Sequence, residues 1–330
     1  MLASQSKTKL VHEIEFYQRS LSIIVSLTKQ LDSLSLIDCL LTRLSKTSLV
    51  KMACIYEVHH TNSEFIRSAA DSSQLIFKQV MERPWQAKDT TAAPEIAVDS
   101  FLAHKQMTQR IEGKVREIVT FPIIPEEGQI GHILLFECTD LLAVKNLLAG
   151  HVMTVFCNLL TIFDRMERDV VTGLYNAHTL NLSLIRYARL ALILAHDANR
   201  QANREWLAML KIVYLNQAQT STNEKKEITL HIACELKSVF RNTDLQFRYS
   251  EDEFVMVLVC DHKSGVESAL DRFLVNTKQH KIIAQRQVQL LVSFAEFNLK
   301  ASASETVREV KKSLSKLKGQ KPQAACCEEG

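Results

Sequence analysis

No stretch of this chain approaches the roughly 18 apolar residues that a membrane-spanning helix needs, and residues 1–10 (MLASQSKTKL) have no apolar signal-peptide core. A cytoplasmic protein without membrane insertion is expected. There is no Cys-x-x-Cys pair and no Cys/His spacing suited to a metal. The cysteines at 39, 54, 138, 157, 234, 260, 326 and 327 mostly lie inside apolar runs, as small buried hydrophobes in a reducing compartment do. Cys326 and Cys327 fall in a polar tail whose ending fits no prenylation box, so residues 320–330 are expected to be disordered. A net charge of +3 gives no argument for nucleic acid. The basic last helix (Arg308, Lys311, Lys312, Lys316, with Lys318 and Lys321 beyond) has no aromatic between Val307 and Gln323, so it reads as a solvated face.

What is present describes a folded protein. Hydrophobic residues make up 46% and charged residues 23% of 330 positions. That length exceeds one ordinary core and fits two domains of about 150 residues each.

In the first half, Ile14, Tyr17, Leu21, Ile24 and Leu31 recur at helical spacing on one face. Strand-like runs follow at 52–58, 117–124 and 130–137. The last two flank the turn-forming segment 125–129 and should pair as an antiparallel hairpin. Helix, early strand, long irregular middle, late hairpin and closing helix resemble the GAF domain, with a PAS-like sensor as the nearest rival. The resemblance implies a small-molecule sensor over residues 1–140. His59, His60, Trp85, His104 and Cys138 are the candidate ligand-holding residues, and none has a spacing that names a ligand.

Between the halves, Leu141, Val144, Leu148, Val152, Val155, Leu159, Ile162 and Met166 form one apolar stripe at steps of three and four. A single helix of about 25 residues, or roughly 38 Å, is expected there. Leu147, Phe156, Leu160 and Phe163 widen the face, so part of it should cover the sensor's sheet. The surplus favours a homodimerisation helix, residues 141–168, over a purely intramolecular one.

The second half carries ordered motifs. Residues 169–176 read DVVTGLYN, followed by Ala177; an apolar run fills 207–215; RYSEDEFVMVL spans 248–258; another apolar run, VQLLVSFA, fills 288–295. Together they resemble the GGDEF domains, the diguanylate cyclases, over residues 169–319. The implied whole is an α/β (α+β) chain: a GAF-like domain with an antiparallel sheet, and a nucleotidyl-cyclase-type domain, joined by a long helix.

The resemblance implies Mg²⁺-dependent joining of two GTP molecules, with metals held by an Asp-Ile-Asp motif on the first strand and by the hairpin carboxylates. Here Lys211-Ile212-Val213 replaces the first motif, and an ammonium repels Mg²⁺. Ser250 and Glu251 replace the two glycines that let backbone approach the triphosphate, while Asp252 and Glu253 remain. For guanine recognition, Gln219 and Glu227 stand nearest the family's Asn and Asp. A degenerate, inactive cyclase without metal or cofactor is expected.

The family's separate product site reads differently. Arg241 and Asp244 keep its Arg-x-x-Asp spacing, five residues precede Ser250, and Arg272 falls where a second arginine completes that site. Arginine suits phosphate and guanine edges, and aspartate the guanine Watson–Crick edge. The resemblance thus implies a cyclic di-GMP receptor signalling to an unidentified protein partner. A pure docking module and an atypical active cyclase are the alternatives.

Overall fold

The computed structural model describes residues 2–61, 66–83, 93–111, 115–125, 130–148, 151–185, 204–215, 220–241, 244–285, 288–297, 303–316 and 324–326. It divides into two compact units, Met1–Met166 and Glu167–Gly330.

The first unit contains α1 (Leu2–Leu27), α2 (Ser33–Ser45), β1 (Val50–His60), β2 (Leu75–Arg83), α3 (Glu95–Leu102), β3 (Met107–Arg110), β4 (Glu117–Ile123), β5 (Ile130–Cys138), α4 (Leu141–Leu148) and α5 (His151–Glu167). The expected hairpin is β4–β5, paired antiparallel with Thr120 opposite Leu135. The stretch read as an irregular middle also supplies β2 and β3, giving the strand order β2-β1-β5-β4-β3. Alternation along β1 sorts the core. Ala53 and Ile55 join Leu134, Phe136 and the helices α1, α2, α4 and α5 on one face. Cys54, Tyr56 and Val58 join Ile133, Leu135 and Phe101 of α3 on the other. Both faces are covered, which explains why β1 and β5 are near-continuous apolar runs.

Two helical expectations are corrected. Among the described side chains of α1, Ile23 and Leu27 are buried and Ile24 is partly buried against the same core, whereas Ile14, Tyr17 and Leu21 are exposed and Leu31 lies beyond the helix. The connector is not one helix: α4 and α5 have axes 57° apart. A change of direction lets Val144, Leu148, Val152, Phe156 and Leu160 all reach one core. Beyond Val152 the inward positions are Phe156, Leu160 and Phe163, while Ile162 is 50% and Met166 64% exposed. The bulkier phenylalanines bury more apolar area, and they set the rotation of α5.

The second unit contains β6 (Tyr175–Asn176), α6 (177–185), β7 (Glu205–Tyr214), α7 (Thr222–Val239), β8 (Leu245–Arg248), β9 (Glu253–Val259), α8 (Lys263–Gln279), α9 (Lys281–Gln285), β10 (Val288–Glu296), α10 (Ala303–Lys316) and β11 (Ala324–Cys326). Its sheet runs β11-β10-β7-β9-β8-β6. The two long apolar runs of the sequence are β7 and β10, antiparallel neighbours with Val292 opposite Leu210. Trp206, Ala208, Leu210 and Ile212 of β7 face α7 and α8, while Leu207 and Met209 face α6 and α10. A capping box between Ser221 and Glu224 starts α7. The tail expected to be disordered contributes β11, parallel to β10 with Ser293 opposite Ala325. It pairs an edge whose backbone groups would otherwise stand open.

Candidate functional site

The hairpin β8–β9 closes tightly, the amides of Tyr249 and Ser250 both donating to the carbonyl of Glu253 at 2.9 and 3.1 Å. On the neighbouring strand, Lys211 sits directly opposite Glu253. Directly opposed residues project to the same face of a sheet. Lys211 Nζ is 2.9 Å from Glu253 Oε1 and 3.4 Å from Asp252 Oδ2. The second oxygen, Oε2, takes Lys311 Nζ of α10 at 2.7 Å. Ser250 Oγ also lies 3.2 Å from Asp252 Oδ1 and 3.4 Å from Glu253 Oε2. Glu253 is only 4% exposed.

The electrostatics follow from these contacts. Burial pushes the Glu253 carboxyl up, but hydrogen bonds from Lys311 and Lys211 outweigh it and hold the group below its ordinary value. The hydrogen bond to Glu253 raises the Lys211 ammonium above its ordinary value against the pull of burial. Both members of the pair are therefore ionised. The implied Mg²⁺ does not fit this donor set, because both Glu253 oxygens and Asp252 already face ammonium groups. Ser250 and Glu251 are exposed at the turn.

Arg248 anchors the hairpin from behind. Its guanidinium is 3.1 Å from Asp169 Oδ1 and donates to the carbonyls of Ser250 and Glu251 at 3.3 Å each. The same Asp169 oxygen accepts from the Thr172 amide and hydroxyl at 2.8 Å each. Gly173 completes that turn at φ 68°, a conformation that favours glycine. Lys237, buried in α7, donates to Thr172 O at 2.7 Å. The DVVTGLYN motif and the hairpin are thus one hydrogen-bonded structure.

The proposed product-site residues gather at the C-terminal end of α7. Asp244 Oδ2 accepts from the Arg241 amide at 2.9 Å, and Oδ1 from the Val259 amide at 3.1 Å. Arg272, on α8, donates to Val239 O at 3.0 Å, satisfying a terminal carbonyl of α7 two residues before Arg241. The side chains of Arg241 and Arg272 are exposed. Asp244 therefore ties the backbones of Arg241 and Val259 together, while the arginines offer cationic surface.

Other candidates separate from these sites. Gln219 and Trp85 lie outside the described residues, and Glu227 is exposed on α7. His59 and His60 are buried at the end of β1, with His59 Nε2 3.2 Å from Glu57 Oε2. His104 is exposed at φ 52° just after α3. Cys138 ends β5, and burial pushes its thiol up to about 11. Lys311, on the basic face expected to be solvated, instead pairs with a buried carboxylate 58 positions away. No local pattern distinguishes it from its basic neighbours on α10.

No family model and no curated protein matches the chain. Similar solved structures are GGDEF domains covering about half of it. The GGDEF domain of DgcB from Caulobacter crescentus, in complex with c-di-GMP, is 18% identical over 49% of this chain and 96% of that one, with a TM-score of 0.42. The diguanylate cyclase SiaD from Pseudomonas aeruginosa, in complex with its activator SiaC, is 21% identical over 52% of this chain and 65% of that one, with a TM-score of 0.43. The FimX GGDEF domain from Pseudomonas aeruginosa is 17% identical over 48% of this chain and 98% of that one, with a TM-score of 0.38.

Proposed function

We propose that this protein is a catalytically inactive GGDEF-family receptor that binds cyclic di-GMP through Arg241, Asp244 and Arg272. It acts as a homodimer with a GAF-like sensor and reports to a protein partner. The observation that carries this reading is the ammonium of Lys211 2.9 Å from Glu253, in the position the resemblance assigns to metal-binding chemistry. Exposed Arg241 and Arg272, with the Arg241 backbone held by Asp244, support the choice of ligand. Guanidinium groups suit phosphates and guanine edges.

Calorimetric titration tests it. Cyclic di-GMP should bind at micromolar affinity or better, about −8 kcal/mol, with charge-assisted contacts of about 1.5–3 kcal/mol each. Arg241→Ala should weaken binding on the order of tenfold to a hundredfold, while Lys211→Ala leaves it nearly unchanged. Absence of heat with the wild type would leave the docking-module reading, which the backbone-engaged carboxylate of Asp244 favours. Formation of cyclic di-GMP from GTP and Mg²⁺ would establish the atypical cyclase instead.

A further inference from the structure

We propose that Lys211 and Lys311 together take the place of a divalent cation, so that the hairpin is held by charge built into the chain. Glu253 and Asp252 carry two negative charges on one side of the hairpin. The two ammonium groups bring two positive charges to them, the count that a divalent ion would supply. They reach the cluster from different elements: Lys211 from the central strand β7 and Lys311 from α10. Contacts of 2.9 and 2.7 Å engage the two Glu253 oxygens separately, so each lysine has its own acceptor. Tyr249 at the turn adds a further tie, with Lys311 Nζ 5.1 Å from its ring centroid.

A hard cation needs several oxygen ligands at about 2.0–2.6 Å, and nearby ammoniums repel it. A tethered ammonium is also not removed by a chelator. The hairpin is therefore held by the same contacts with or without metal, and Lys311 ties α10 to it. This inference rests on the hairpin site being catalytically inactive; cyclic di-GMP titration of the same samples reads the Arg241 site separately, so either result can fail alone.

The full-length wild type and Lys211→Asp are compared in EDTA and in millimolar MnCl₂, with bound Mn²⁺ counted by electron paramagnetic resonance and stability read by thermal melting. The wild type should bind no Mn²⁺ and melt identically in both buffers. Lys211→Asp should bind Mn²⁺ and melt about 4 °C or more higher with the ion than in EDTA. Bound Mn²⁺ in the wild type, or a folded Lys211→Asp that gains none, overturns the proposal. Should Lys211→Asp not fold in either buffer, Lys311→Met replaces it. That variant should melt below the wild type in EDTA, and an unchanged melting temperature overturns the proposal as well.

Discussion

Truncating Phe156 tests the rotation of α5 that separates the structure from the sequence stripe. Phe156 is 0% exposed, within the core cluster that holds Val152, Leu160 and the sheet residues Leu134 and Phe136. Phe156→Ala removes the ring and leaves a cavity in a close-packed interior, which costs about 3–5 kcal/mol. At about 2–4 °C per kcal/mol for a unit of this size, its melting temperature should fall on the order of 10 °C. Ile162, about a third of a helix turn away in projection and 50% exposed, is the control. Ile162→Ala removes apolar surface already half in water and opens no closed cavity, so about 1 kcal/mol, or a few degrees, is expected. Calorimetry of the full chain reads the N-terminal unit. In a Trp85→Phe background, Trp206 is the sole tryptophan and its fluorescence follows the C-terminal unit separately. Equal shifts for the two variants, or a larger one for Ile162→Ala, would refute the inward placement of Phe156.

Two further outcomes follow from exposure and charge. Ile162→Glu with Met166→Glu should convert a homodimer to a monomer by light scattering with unchanged helix content, because both side chains are exposed within one chain; an unchanged mass places the interface elsewhere. Val155 and Leu159 suit that test less well, being partly buried against the core. Burial pushes the Glu205 carboxyl up to about 7. The folded protein then holds a proton that the unfolded chain releases near 4.5, so stability is lost as pH rises from there through about 7. Glu205→Gln should therefore melt above the wild type at roughly pH 8, one unit past that value, and converge with it near 4.5.

Local pattern determined much of this protein. The apolar runs marked β1, β5, β7 and β10, because a strand buried on both faces has few polar positions to interrupt it, and a further run marked β4. The turn-forming composition of 125–129 predicted the β4–β5 pairing, and the RYSEDEF segment predicted the β8–β9 hairpin. Side-chain partners distant in sequence were decided by tertiary structure. Helical spacing showed that α1 and α5 have apolar faces, yet only packing against the sheet selected Ile23, Leu27, Phe156 and Leu160 over Tyr17, Leu21 and Ile162. The strands β2 and β3 lack a distinctive run because they lie toward the sheet's edges, where much of each strand is only partly buried or exposed. Lys311 shows the limit most clearly. Its role comes from α10 crossing the sheet beside Glu253, a contact spanning 58 residues that no periodicity encodes.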